Sequence, residues 1–490
     1  MLLTDALLLD YKRCQRRAFL NRYGDPSQQD PERDFFIKLR QESQNHIAKV
    51  LSELYPHAQR LPDIFPWKER AEATETLMAQ GVECIHKGVL FHETQDFLTQ
   101  ETITLVGKPH LLVKSIGQSK FGNWMYIPIS IQLGRRPKPE YKILAAYYAY
   151  LLDFIQGTLP PNAQLILRPL KTYEVELEIW MPKVLDAITE CLQMLHQRQE
   201  PEVFISRQRC SLCHWYTHCY TLAQSQQHLS LVPGVTPSRY ESLQTLGVDS
   251  VASLANTSVL HVGELIGLEV ATQLQQQAQS ILENRAIRRA NSPPNKQIII
   301  PTASIELYFD IEAEPELNVD YLLGILLVNR QENTQQFYPF LAEQPEEEKS
   351  IWLSFVTFMN HYPEAPIFHY SEYEVETIKR LANLYGTPQK QLENLLSRCT
   401  DLHKQVINSV TFPVESYSLK SLANWLGFQW RDAGISGDQC VCWYDQWLTT
   451  GDRSLLDAIL RYNEDDCWAT FHLKNWLVQF LLNPLSSELT

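Results

Sequence analysis

From Ile305 to Ile311 the chain is almost continuously apolar, and its period-2 logic predicts a buried strand. Residues i and i+2 of a strand point to the same face, so Asp310 and Glu312 project together. Further strands are predicted at Asp320–Asn329, Thr334–Leu341 and Pro366–Tyr370. A helix follows from about Glu372 to Tyr385, ended by Gly386. Near the end of the chain the pattern is again helical, and Tyr462 and Asp466, four apart, share a face. Three strands, alternating helix and strand, then a terminal helix bearing an acid form a recognisable order.

Acidic side chains converging from a strand and a distant helix suit Mg²⁺ or Mn²⁺, which prefer oxygen ligands. Two such ions activate a water and stabilise the leaving oxygen of a phosphodiester. Each motif also has a plainer account. An Asp-x-Glu pair equally fits a solvated sheet face, and Glu464-Asp465-Asp466 equally fits a charge cluster at a helix N-terminus.

Residues 303–485 resemble the DEDD 3′→5′ exonuclease superfamily, in the branch related to bacterial YprB-type ribonuclease-H-like domains. Asp310 and Glu312 match its first motif, and Tyr462-x₃-Asp466 matches the third motif of the tyrosine-bearing subgroup. Ser416-Tyr-Ser-Leu-Lys420 with Leu426-Gly427 is similar to the stretch preceding that motif, with Asp401-Leu402 upstream. The second motif departs from the family: His369-Tyr370-Ser-Glu-Tyr373-Glu374 stands where many members have an Asn and a downstream Asp. The resemblance carries the second acid onto Glu374, with Glu372 and Glu376 as rivals. It implies that Asp310, Glu312, Glu374 and Asp466 hold two ions of Mg²⁺ or Mn²⁺ while Tyr462 orients the attacking water.

Cysteine placement is the second signal. The N-terminus carries Asp5 and Asp10 within its apolar stretch, without a signal-peptide layout, and no apolar run approaches a membrane span. The expected location is therefore cytoplasmic, where clustered cysteines suggest metal before disulfide. Cys210-x₂-Cys213-x₅-Cys219 is such a cluster, and Cys14 fits the need for a fourth ligand. This layout resembles the iron–sulfur staple of RecB-family nucleases, including the CRISPR-associated ones, and implies a [4Fe–4S] cluster on Cys14, Cys210, Cys213 and Cys219. Zinc is the runner-up, with His214 and His218 at hand. Cys84 and Cys191 sit in helical patterns and are read as core residues, while Cys440-Val-Cys442 is left unassigned.

The RecB-like resemblance covers residues 1–220 and makes a demand that the chain does not meet. Such nucleases carry an Asp on one strand, Asp/Glu-x-Lys on the next, and a helix with a Gln. Here the strands are predicted at Thr102–Ser115 and Met125–Leu133, but the first position reads Gly107-Lys-Pro-His110. The carboxylate and lysine positions hold Ser130 and Gln132, and Lys142 stands on the helix Glu140–Leu152 where Gln is expected. His46 matches an upstream helical His of the family, though alone it equally fits an ordinary surface residue. Without hard anionic ligands this module is read as a nuclease fold that has lost its chemistry.

Between the two modules, Leu231-Val-Pro-Gly-Val235 and Leu243–Leu254 resemble a helix-hairpin-helix motif, followed by a helical Gln-rich stretch, Val270–Arg289, and a linker over Arg288–Lys296. A plain helical spacer fits as well. The expected architecture is thus α/β and multidomain. It places a PD-(D/E)XK restriction-endonuclease-like fold at 1–225, a helix-hairpin-helix-like module at 228–290 and a ribonuclease-H-like DEDD domain at 302–487.

Net charge is −14, and the acidic surplus lies in residues 301–490, part of it in Glu343–Glu348, read as a solvated run. An acidic chain disfavours tight nonspecific duplex binding, so contacts with nucleic acid are expected to be local or metal-assisted. Arg13, Arg16, Arg17 and Arg22, and separately Arg135, Arg136 and Lys138, are candidate phosphate contacts or a solubilising face. The expected function is a metal-dependent 3′→5′ exonuclease acting on single-stranded DNA or RNA, without a membrane partner. Two alternatives come from other classes: a non-catalytic nucleic-acid-binding or assembly protein with vestigial nuclease sites, and a redox-sensing Fe–S scaffold.

Overall fold

The computed structural model describes residues 1–62, 66–95, 101–289 and 300–482, the side chain of residue 208 excepted. The chain is a mixed α/β protein that divides into two units, Met1–Leu222 and Ala223–Thr490. Most of the linker read at 288–296, and the end of the last expected domain beyond 482, lie outside the described residues.

The N-terminal unit holds a six-stranded and a three-stranded sheet. The helix Pro139–Gln156 is buried along most of its length, and it packs against the strands Leu90–Gln95, Gly122–Ile131 and Ala163–Leu167. Its Ala145, Ala146 and Ala149 let the backbone come close to neighbouring elements, while Tyr147 and Tyr148 fill the spaces between. The single strand expected at Thr102–Ser115 is two: Thr102–Gly107 belongs to the small sheet and Leu111–Ser119 to the large one. Pro109 explains the break, because it lacks an N–H for the ladder and restricts the residue before it. Cys84, expected on a helix, lies buried in the strand Cys84–His86, whereas Cys191 is in the helix Leu177–Gln197 as expected.

The second unit begins with four helices, Pro237–Thr245, Val251–Asn256, Val259–Ile266 and Leu268–Glu283. The helix expected through Arg289 stops at Glu283, capped by Asn284 in the left-handed region, and Ile287–Arg288 then pairs with Val410–Thr411. Gln277 joins these helices to the segment Phe412–Tyr417: its Nε2 donates to the Phe412 carbonyl at 2.6 Å and its Oε1 accepts from the Tyr417 hydroxyl at 2.8 Å.

The rest of this unit is built on a five-stranded sheet. Its spatial order is Thr334–Leu341, Val319–Asn329, Ile305–Glu314, Ile367–His369, Cys399–Asp401. The first three strands are antiparallel and the last two run parallel to Ile305–Glu314. In the central pairing Asp310 stands directly opposite Gly324. One face packs Leu307, Phe309, Leu323 and Ile325 against Trp352, Phe355, Ile378 and Leu381. Tyr308, Leu326 and Phe368 join a second core with Cys467, Leu473 and Leu477 of the long helix Arg453–Leu482. Burial on both faces explains why these strands read as nearly continuous apolar runs.

Glu348 corrects the reading of the acidic run as solvated. It is buried, its Oε1 accepts from the Asp320 backbone N–H at 2.8 Å and from Arg380 at 2.6 Å, and its Oε2 accepts from the Tyr385 hydroxyl.

Candidate metal centre

Strand pleating and helical periodicity bring Asp310 and Glu312 together with Asp466. One oxygen from each of these three carboxylates lies within 4.8 Å of the others. Glu312 is buried, and Asp310 and Asp466 keep partial exposure, so the group sits in a wall that solvent reaches. Burial comes first in pushing Asp310 well above the ordinary carboxylate range, followed by the negative charges of Asp466, Glu312 and Glu374. Burial and then Asp466 push Glu312 well up too. Asp466 is raised to about 7 by burial, against opposing help from the Trp430 hydrogen bond, the Lys420 charge and the Tyr462 hydroxyl. Three all-oxygen ligands that resist ionising side by side form a donor set that a hard divalent cation fits, because its charge replaces the protons.

The Tyr462-to-Asp466 segment lies well inside the helix Arg453–Leu482, so it is not a charge cluster at a helix N-terminus. Its three acids are sorted by their partners. Arg431 takes Asp465 through Nε at 2.8 Å and Glu464 through a terminal nitrogen at 2.8 Å, which leaves Asp466 for the acidic group. Tyr462 is on the same face, hydrogen-bonded to Asp466, and its hydroxyl is held strongly neutral by burial and by the charges of Asp466, Glu312 and Asp310.

Glu374 is buried and adds to the charge felt by Asp310, but it is not one of the three mutually close carboxylates. Its Oε2 accepts a 2.8 Å hydrogen bond from the Ser371 hydroxyl and lies 3.6 Å from Nδ1 of the buried His369. The rivals lie elsewhere: Glu372 is exposed and paired with Lys404 at 2.6 Å, and Glu376 is exposed and paired with Lys379 at 2.8 Å.

Four further residues border this site without having been singled out from sequence. Asn463 donates from Nδ2 to Asp310 Oδ2 at 2.7 Å. Trp430 and Lys420 act on Asp466, and Cys440 is close enough for all three carboxylates to add to the effect of burial in raising its thiol. Asn463 stands inside the Tyr462–Asp466 motif and Lys420 inside the Ser416–Lys420 stretch, so for these two a local signal was present.

In the N-terminal unit, Cys14, Cys210, Cys213 and Cys219 line one cavity of about 570 Å³. Cys14 sits in the break between the helices Asp5–Arg13 and Gln15–Tyr23, Cys210 ends the short helix Arg207–Cys210, and Cys219 is on the helix Tyr216–Ser225. Burial raises Cys210 to about 11, the Ser206 N–H opposes this, and charge on Cys14, Cys213 and Cys219 adds to it. Cys210 already accepts a hydrogen bond from the Ser206 backbone N–H at 3.3 Å, and the charge of Arg16 opposes the effect of burial on Cys219. His214 is engaged with Asn21 Oδ1 at 2.8 Å instead. Lys12, Arg13, Arg16, Arg17, Lys138, Arg168 and Arg209 also line the cavity, although Arg16 is bonded to Glu200 and Pro201 and Arg17 to Asp10.

The residues standing at the positions expected to hold RecB-like ligands are engaged in other hydrogen bonds. His110 Nδ1 accepts from the Ile131 N–H at 3.1 Å, and Gln132 Nε2 donates to the Ser130 hydroxyl at 2.8 Å. Burial, with His86, His46 and Lys87 nearby, pushes His110 down to about 4. Lys142 reaches the Tyr173 hydroxyl at 3.1 Å. His46, for which an ordinary surface position was the plainer reading, is buried.

Residues 307–478 match the family model described as the RNase_H superfamily, so the C-terminal part of the chain is a ribonuclease-H-like domain. This supports a nuclease-type, metal-dependent function for that domain, and nucleic acid as its partner. No curated protein matches the chain. A solved structure titled "Crystal structure of SSO0001" is 11% identical with a TM-score of 0.25, covering 45% of this chain and 86% of that one, a likeness too slight to argue from. Among the described residues, no helix is long and apolar enough to cross a membrane.

Proposed function

We propose that this chain is a metal-dependent 3′→5′ exonuclease of the DEDD type, acting on single-stranded nucleic acid through its ribonuclease-H-like domain. One observation carries the reading: Asp310, Glu312 and Asp466 converge from a strand and a distant helix with Tyr462 bonded among them. Asp310, Glu312 and Asp466 would hold one divalent ion, and Glu374, whose charge Asp310 feels, would complete the ligands of a second. When bound, such ions supply charge for the attacking and leaving oxygens of a phosphodiester. The chain's own contribution is positioning. Tyr462, held neutral, keeps its proton and offers a hydroxyl to orient a water, and the Trp430 indole fixes the Asp466 carboxylate.

The N-terminal unit, in this proposal, is a PD-(D/E)XK-like fold without catalysis that holds substrate. Its four cysteines would carry a [4Fe–4S] cluster, supported by their lining one cavity together and by the Ser206 N–H aimed at Cys210. Zinc is the second choice for the same thiols. The helices between 228 and 290 are assigned to a helix-hairpin-helix-like module, supported by Gly234 and Gly247 in the left-handed region at its turns.

The position of Glu374 outside the close trio favours one second reading, a nucleic-acid-binding protein with a vestigial site. The deciding experiment uses 3′- and 5′-labelled single-stranded DNA and RNA with Mn²⁺ or Mg²⁺, comparing wild type with Asp310→Asn. Stepwise shortening from the 3′ end, lost in the variant, supports the exonuclease and identifies its substrate. Equal inertness of both proteins would leave the binding reading in its place.

A further inference from the structure

We infer that Asn463 is a positioning residue for Asp310, and that Gly324 is glycine so that Asn463 can reach it. The inference rests on the metal centre proposed above and goes beyond its ligands.

In an antiparallel pair, the residue directly opposite presents its side chain to the same face, roughly 4.5–5.5 Å away. Opposite Asp310 that residue is Gly324, so no side chain stands there. The space is taken by the amide of Asn463, fully buried and delivered by the same helical turn that carries Tyr462 and Asp466. A Cβ built on Gly324 would lie 1.7 Å from Asn463 Oδ1 and 2.9 Å from its Cγ, a collision between a backbone-fixed atom and a packed side chain. Asn463 Nδ2 donates to Asp310 Oδ2 at 2.7 Å, while its Oδ1 has no hydrogen-bond partner. Leaving a buried amide oxygen unsatisfied is destabilising, so a residue chosen for packing alone would be apolar.

The chemistry explains the choice of an amide. A carboxylate here would add negative charge to an overloaded cluster, and an ammonium would compete with the cation. An amide N–H fixes one oxygen of Asp310 and leaves its net charge available to a metal. Groups that orient ligands in this way typically change metal affinity about 10- to 100-fold when removed.

The test is calorimetric titration of the full chain with Mn²⁺ after chelator treatment. Asp310→Asn identifies the part of the signal that belongs to this centre. Asn463→Leu keeps most of the volume and loses the donor; Asn463→Ser retreats from the carboxylate without crowding, should the first fail to fold. Either is expected to weaken this signal about 10- to 100-fold. Gly324→Ala is expected to weaken it comparably, yet to add nothing further in an Asn463→Ala background, where the colliding oxygen is gone. A folded Asn463 variant that binds Mn²⁺ like wild type, while Asp310→Asn does not, overturns this inference alone. If Asp310→Asn leaves Mn²⁺ binding intact, the metal centre itself is absent and the inference falls with it. If the affinities drop as expected and no nucleic acid is cleaved, the inference stands and the nuclease reading fails.

Discussion

The indole Nε1 of Trp430 donates a 2.8 Å hydrogen bond to Oδ1 of Asp466. The next residue, Arg431, closes on Asp465 and Glu464. Two consecutive side chains of one loop thus decide which of three adjacent acids faces the candidate metal. Trp430 is itself buried against Ala423 and Ala469, so the loop is fixed by packing as well as by polar contacts.

Trp430→Phe keeps an aromatic ring in that packing but removes the donor. A hydrogen bond to a charged group contributes about 1.5–3 kcal/mol, so Mn²⁺ or Mg²⁺ affinity at the site should fall about tenfold or more. The expected signature is a rightward shift of the metal dependence of cleavage with little change at saturating metal. An equal loss at every metal concentration would assign Trp430 to substrate contact instead.

The three raised carboxyls predict how stability depends on pH. Their folded pKa values lie above the unfolded ones, so the stability they contribute is complete below the ordinary carboxylate range. It is lost as pH rises through the folded values, which for Asp466 is about 7. Chelator-treated protein should therefore melt at a lower temperature near pH ~8 than near pH ~6, and added Mn²⁺ should restore most of the difference by replacing protons. Asp310→Asn, with one fewer charge in the group, should flatten the profile. Thermal melts across that range with and without Mn²⁺ check it; a wild-type profile flat in the presence of chelator contradicts the burial argument.

The sequence made legible whatever local periodicity encodes. Asp310 and Glu312 share a face because strands repeat every two residues, and Tyr462 and Asp466 share one because helices repeat near four. The strands Thr334–Leu341 and Ile367–His369 and the helix ended by Gly386 come from the same logic. Partners fixed only by the tertiary fold were not legible. Nothing local tells Asn463 that Asp310, 153 residues away, will lie at its amide, or tells Glu348 that Arg380 will bury it. Cys84 shows the opposite failure: an apolar residue near a helical pattern fits a short strand equally well until its neighbours are known.

Glu374 and its rivals make a selectivity prediction. Only Glu374 is both buried and felt by Asp310, whereas Glu372 and Glu376 are exposed and paired with lysines. Glu374→Gln should reduce cleavage by on the order of a hundredfold or more, as expected for removing several kcal/mol of metal-borne stabilisation. Glu372→Gln and Glu376→Gln should leave stability near wild type and cleave normally. Rate measurements at saturating Mn²⁺ separate the three, and a larger loss at Glu372 would move the second acid there.

Lys474 and Glu306 form a buried pair at 2.5 Å that ties the long helix to the start of the central strand, with Tyr308 and Arg330 also donating to Glu306. Lys474→Met strips one partner from a buried carboxylate. Breaking such a pair costs about 3–5 kcal/mol, here toward the lower end because Arg330 remains. Urea unfolding should show this loss, and Glu306→Gln in the same background should recover part of it. No recovery would mean that Lys474 acts through packing of its stem alone.

The cysteine cavity gives a prediction that does not depend on catalysis. Its four sulfurs come from the junction of two N-terminal helices and from the segment holding Cys210, Cys213 and Cys219, about two hundred residues later, so a bound group would staple the ends of the N-terminal unit. Protein purified without oxygen should carry iron and acid-labile sulfide in equal amounts and absorb broadly in the visible. Cys14→Ser should lose the iron and lower the melting temperature, because metal binding free energy is folding free energy. Cys84→Ser and Cys191→Ser, which lie outside the cavity lining, should keep the iron whatever they do to stability. Zinc in place of iron and sulfide, lost in the same Cys14 variant, would keep the site and change its occupant. Iron retained in Cys14→Ser would remove Cys14 from the ligand set and leave the staple without its N-terminal end.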